Sequence, residues 1–183
     1  MSIEEELSEL RARLARLEAK EAIQATFNQY LYSLDTGNAA GIIDAYAVDA
    51  VLDVINFPPK NDDLHFEGRD SISTLYTRYG KAPTDRAIAG GHNSTNVSIA
   101  VSANALSATF TSYFSTTHNF GAQGGRYEGT LAPDADGRWR FQTLSIISAW
   151  GFRAETEKVS DPVNVRQSRF GGAPATGWPE AAT

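Results

Sequence analysis

Cysteine is absent from the sequence, which excludes disulfide bonds, thiol nucleophiles and thiolate metal sites. Basic residues are few: 16 Lys and Arg against 22 Asp and Glu give a formal net charge of −6. Such a charge gives no general attraction to nucleic acid or anionic lipid, because both require clustered basic side chains. No apolar run approaches the roughly 20 residues of a membrane-spanning helix, and the acidic start is unlike a secretory signal. We therefore expect a cytoplasmic protein that binds neither nucleic acid nor membranes.

What the sequence does contain is typical of a folded globular protein. It has 183 residues, of which 42% are apolar and 10% aromatic, enough to bury one core. We expect a single domain at residues 1–160, of which 1–20 form a helical extension. A tail at 161–183, rich in glycine and proline, is predicted to be irregular.

Apolar residues recur in steps of three and four from the N-terminus to Leu34. This spacing predicts one long amphipathic helix, or two helices joined near Lys20. Between Leu7 and Leu17 the apolar positions keep a heptad-like spacing with Glu and Arg between them. That stretch either packs on a neighbouring subunit or forms a solvated extension of the helix.

The remaining pattern predicts two more helices and then a sheet. Gly37 ends the first helix, a second helix runs from Asn38 through Tyr46, and a third begins after Asp70. A first strand is predicted around Val51, and four long strands at 92–102, 105–118, 124–133 and 138–152. Helices followed by such strands predict an α+β fold, a cone-shaped barrel in which three N-terminal helices pack in a strongly curved antiparallel sheet.

Two residues are placed where they could transfer a proton. His92, one of only three histidines, begins a long strand, where its side chain can point into the mouth of a curved sheet. Asp35 stands at the end of an apolar helix, where the helix dipole disfavours a carboxylate unless a positive group compensates. A nearby imidazolium would compensate, so we predict that the two side chains meet.

Three segments in order resemble a known family. They are Leu34-Asp35-Thr36-Gly37, His92 with Thr95-Asn96, and Gly124-Gly125-Arg126-Tyr127 followed by Trp139-Arg140-Phe141. The set resembles the nuclear-transport-factor-two-like superfamily, in its polyketide-cyclase-like (SnoaL-like) branch related to scytalone dehydratase and lindane dehydrochlorinase. The resemblance implies that Asp35 and His92 form a catalytic dyad. The alternative is a buried hydrogen bond that ties a helix to the sheet.

The sequence offers several candidates for the group that would act on the substrate opposite this base. Tyr46 and Tyr30 are candidates for polarising a substrate oxygen, and each is also interpretable as a core residue. His118 is equally compatible with the pocket and the surface. The residues predicted to contact the substrate are Phe27, Phe57, Tyr76, Phe110, Phe114, His118 and Trp150.

The sequence thus predicts a cofactor-independent lyase or isomerase, with dehydration as the specific expectation. Its partner would be a small hydrophobic, ring-bearing substrate, with no cofactor and no metal, and a homo-oligomer such as a dimer or trimer is expected. Two alternatives remain open: a ligand-binding or assembly module without turnover, and a polyketide-type cyclase.

Overall fold

The computed structural model describes residues 2–57, 62–77, 91–118 and 121–153. The side chains of Phe57 and His118, both predicted substrate contacts, lie outside the described residues, as does the predicted tail at 161–183. None of the helices in the described ranges has both the length and the apolar character needed to cross a membrane.

The first helix, α1 (Ile3–Thr36), is continuous, so the alternative of a break near Lys20 is wrong. It begins with a capping box, in which the Ser2 side chain accepts from the Glu5 backbone N–H and the Glu5 side chain accepts from the Ser2 N–H. It ends at Gly37, whose φ of 67° is the left-handed conformation that favours glycine. The predicted end of this helix is confirmed.

The second helix, α2 (Ala39–Asp44), is shorter than predicted because Tyr46 begins strand β1 (Tyr46–Phe57) instead of ending the helix. The reason is tertiary: Tyr46 pairs with Phe141 on a distant strand, and its side chain is fully buried. The Arg69 side chain also donates to the Tyr46 carbonyl. Such contacts override the local helical spacing.

The third helix, α3 (Arg69–Tyr76), follows strand β2 (Asp62–Glu67). The other strands are β3 (His92–Val101), β4 (Ala108–His118), β5 (Gly121–Pro133) and β6 (Trp139–Arg153). The described strands form one curved, unclosed sheet in the order β2-β1-β6-β5-β4-β3. Neighbours are antiparallel except β1 and β6, which run parallel. The predicted α+β class is confirmed.

The core lies between α1 and the inner face of the sheet. Phe27 on α1 packs 4.5 Å from Phe110 and 5.5 Å from Tyr127, measured between ring centroids. Further along the helix, Tyr30 packs 5.8 Å from Phe141. These rings are almost fully buried, and their edge-on and tilted contacts add to the hydrophobic stabilisation from buried area.

Candidate active site

Asp35 and His92 are in direct contact at the junction of α1 and β3. His92 Nδ1 lies 2.6 Å from Asp35 Oδ1, and the His92 backbone N–H donates to both carboxylate oxygens at 3.1 Å. The side chains are 25% and 18% exposed for Asp35 and His92 respectively. These two donors face a carboxylate in the last turn of α1, where the helix itself provides no basic side chain.

The pairing of β3 with β4 places the His92 side chain on the inner face of the sheet. His92 pairs with Thr116, and residues directly opposite in an antiparallel pair point to the same side. Thr116 alternates with Phe114 and Phe110, and all three are buried. The imidazole therefore points to the side of the sheet that carries the aromatic core.

His92 Nε2 is the free end of this arrangement. Among the described residues it has no hydrogen-bond partner, whereas Nδ1 contacts Asp35. When Asp35 accepts the Nδ1–H, the tautomer of the ring is fixed and Nε2 presents a lone pair. Such a nitrogen accepts a proton from a bound molecule and its imidazolium form is stabilised by the carboxylate.

Gly91 belongs to this site, although the sequence analysis did not single it out. A Cβ at position 91 would lie 2.8 Å from Asp35 Oδ2, closer than real Cβ contacts. The absence of a side chain therefore lets the carboxylate approach the backbone N–H of His92. A glycine directly before the histidine is the only signal in the sequence for this contact.

Three buried tyrosine hydroxyls form a second polar cluster inside the core. The Tyr76 hydroxyl lies 2.9 Å from the Tyr30 hydroxyl and 3.1 Å from that of Tyr46. Burial, followed by the neighbouring tyrosines, raises the pKa of Tyr30 and of Tyr46 well above the usual value of 10.0. Both hydroxyls thus stay protonated near neutral pH and act as hydrogen-bond donors or acceptors, not as anions.

Four of the residues predicted to contact the substrate are core residues. Phe27, Tyr76, Phe110 and Phe114 lie on the inner side and are buried among other aromatic rings. Their role in binding stays a prediction.

Trp150, also predicted to contact the substrate, lies apart from these buried rings. A β-bulge shifts the register so that Gly125 pairs with Ser148 while Gly124 pairs with Trp150. Ser148 is buried, but Trp150 is 51% exposed and lines an outer groove with Tyr113. Simple alternation along β6 ends at this extra residue. The role of Trp150 in contacting the substrate stays a prediction.

A second histidine–carboxylate pair provides a contrast. His65 Nδ1 lies 2.6 Å from Asp53 and its Nε2 lies 3.1 Å from Glu67. The hydrogen bond to Asp53, followed by that to Glu67, raises the pKa of His65. With 57% of its side chain exposed and both nitrogens occupied, His65 has no free base inside the fold. In the described part of the chain, no three His, Asp or Glu side chains are grouped as a metal site.

The SnoaL-like domain family matches residues 15–145, a range that contains Asp35, Gly91, His92 and the tyrosine cluster. The chain belongs to this family. No curated protein matches the chain in sequence.

Solved structures with this SnoaL-like fold include enzymes. A scytalone dehydratase candidate from Novosphingobium aromaticivorans DSM 12444 superposes with a TM-score of 0.60 at 20% identity, covering 78% of this chain and 92% of that one. A hexachlorocyclohexane dehydrochlorinase from Novosphingobium barchaimii LL02 gives 0.62 at 18% identity, covering 82% and 99%.

Other structural neighbours have no assigned activity. A protein of unknown function with a cystatin-like fold from Nostoc punctiforme PCC 73102 gives a TM-score of 0.54 at 17% identity, covering 79% of this chain and 94% of that one. Identities this low establish the fold alone. The activity of this SnoaL-like chain has to be argued from its own residues.

Proposed function

We propose that the protein is a cofactor-independent lyase, best described as a dehydratase, in which His92 is the general base and Asp35 orients it. The main support is the 2.6 Å contact between His92 Nδ1 and Asp35 Oδ1, with no hydrogen-bond partner for His92 Nε2 among the described residues. A positioned base of this kind contributes about 10²–10⁴-fold to a proton-transfer rate.

The proposed reaction begins on a carbon next to a carbonyl. His92 Nε2 removes the proton, and the C–H electron pair forms a carbon–carbon double bond as the neighbouring C–O bond breaks. The hydroxyl group leaves as water, and the proton that it takes up is returned by the His92 imidazolium. No cofactor is required for this balance.

The tyrosine cluster supplies the complementary role. The Tyr30 and Tyr46 hydroxyls are neutral, buried and ordered through Tyr76, so they are suited to donate to a substrate oxygen that gains negative charge. The surrounding aromatic side chains favour a small ring-bearing substrate over a highly charged one.

The test is a comparison of two histidines. A panel of hydroxylated ring ketones is incubated with the protein, and dehydration is followed by the absorbance of the conjugated product. His92→Gln is expected to lose activity by about 10²-fold or more, whereas His65→Gln, which removes the contacts of that histidine with Asp53 and Glu67, keeps it.

A ring ketone without a leaving group extends the test, because exchange of its α-hydrogen with deuterium from solvent reports proton abstraction alone. If neither dehydration nor exchange is detected while the ketones still bind, the protein is a binding module. If either reaction proceeds unchanged in His92→Gln, His92 is not the base. Both outcomes refute the proposal.

A further inference from the structure

The first half of α1 carries an apolar stripe that no described residue of the protomer covers. We call it the leucine seam; it consists of Ile3, Leu7, Leu10, Leu14 and Leu17. The exposed fractions range from 44% at Leu7 to 84% at Ile3. Alternating steps of four and three residues place the seam at the d and a positions of a heptad repeat.

The leucine seam faces away from the domain. The buried face of α1 is formed further along the helix by Ala19, Ile23, Phe27, Tyr30 and Leu34. At 3.6 residues per turn, the seam lies about 160° around the helix from this face. A partner helix can therefore lie along the seam without meeting the core of the protomer.

We propose that the leucine seam packs against the same seam of a second copy, as a parallel, in-register, two-stranded coiled coil. The flanking charges support this partner. In a parallel pair each g position faces the e position five residues further along the other helix. Glu6 then faces Arg11 of the second copy, and Arg13 faces Glu18 of the second copy. Twofold symmetry repeats both attractive pairs.

The antiparallel arrangement is disfavoured by the same charges. The register that aligns Leu7 with Leu17 of the second copy would bring Arg11 beside Arg11 and Arg13 beside Arg13. Like charges in these positions destabilise a helix pair. Charge complementarity therefore selects the parallel orientation.

The seam is short for a coiled coil, but α1 is already formed before a second copy binds. Its C-terminal half is packed in the core, and its N-terminus has the capping box at Ser2 and Glu5. The cost of nucleating the helix is thus met within the protomer. Most of the seam precedes the family match at 15–145, so this contact is an addition to the SnoaL-like domain.

Single-cysteine crosslinking tests the orientation, since the full chain has no cysteine of its own. In the parallel coil two copies of residue 3 share one layer, so Ile3→Cys is expected to form a disulfide-linked dimer under mild oxidation. In the antiparallel register the two positions are roughly 27 Å apart. The matched control is Ser8→Cys, exposed on the same helix outside the seam. Equal crosslinking of both variants, or none at position 3, overturns the proposal.

Sedimentation of the full chain tests the seam itself. The double variant Leu10→Glu/Leu14→Glu is expected to lose the dimer contact, so that its sedimenting mass falls. Ala12→Glu, at an exposed position on the opposite side of α1, is expected to keep the native mass. Helical content by circular dichroism should be unchanged in both, because the substituted side chains are exposed in the protomer. An unchanged mass for the double variant refutes the dimer contact.

A charge exchange tests the flanking positions. Glu6→Arg/Glu18→Arg and Arg11→Glu/Arg13→Glu each make all four flanking positions alike in charge. Each variant alone is expected to dimerise on the order of 100-fold more weakly, and an equal mixture of the two should recover the dimer. Failure of the mixture to recover it contradicts the proposed pairing.

Discussion

Replacing Asp35 by asparagine is the perturbation that reports most directly on the proposed base. The amide keeps the size of the carboxylate but has one acceptor oxygen instead of two, and its NH2 group donates. In the native protein both carboxylate oxygens accept from the His92 backbone N–H, and Oδ1 also faces Nδ1. The backbone N–H must donate, so it takes the amide oxygen and leaves the NH2 group facing Nδ1. The ring then carries its proton on Nε2.

The expected size of the effect follows from the hydrogen bond that is lost. A hydrogen bond to a charged group contributes about 1.5–3 kcal/mol. At 1.4 kcal/mol per factor of ten, this bond holds roughly 90% or more of the neutral His92 ring in the Nδ1–H form. In Asp35→Asn the Nε2–H form should predominate. A base whose acceptor nitrogen is already protonated loses activity, on the order of 10⁴-fold in another histidine–aspartate enzyme.

Nitrogen NMR of histidine-labelled protein measures this population without a substrate. The chain has three histidines, so the spectrum contains few signals, and His92→Gln identifies those of His92. His65 is the internal control, because its partners Asp53 and Glu67 are unchanged. The comparison is made at a pH where the rings are neutral. A native His92 with its proton on Nε2, or an Asp35→Asn spectrum identical to the native one, refutes the reasoning.

Three further predictions concern other contacts in the protein. Gly91→Ala should displace the Asp35 carboxylate and reduce activity with little change in melting temperature, because only the end of a side chain must move; unaltered activity in a folded variant contradicts this. Tyr76→Phe should lower the free energy of unfolding by about 1–3 kcal/mol in urea titration, since two buried hydroxyls lose their shared partner; an unchanged midpoint argues against it. The hydrogen bond from Arg140 lowers the pKa of Asp136 below its usual 3.8. The ionised carboxylate therefore stabilises the folded protein above about pH 4, and this contribution is lost as the pH falls further. Asp136→Asn should therefore flatten the acid side of the melting-temperature profile, and a profile as steep as the native one would count against the ion pair.

The local pattern of the sequence was sufficient for most elements. Steps of three and four residues predict α1, the left-handed preference of glycine at position 37 predicts its end, and β-rich segments predict β3 to β6. It also placed Asp35 and His92 at a helix end and a strand start. Their contact could be anticipated because the resemblance relates these two motifs to one pocket.

Other features depend on residues far apart in the chain. The parallel pairing of β1 with β6 joins segments about 90 residues apart, and no local spacing encodes it. The same pairing makes Tyr46 a strand residue, and one extra residue in β6 turns Trp150 to the outer face.

Periodicity and turn chemistry, which act over a few residues, therefore determined by themselves most of the helix and strand segments and the residue at which α1 stops. Tertiary structure alone decided which side chains meet: the close approach of Asp35 to Gly91, the shared hydrogen bonds of three tyrosines, and the direction in which the leucine seam points. The physical reason is that these contacts form only when α1, the sheet and their registers are fixed together, and a sequence window contains only one side of each.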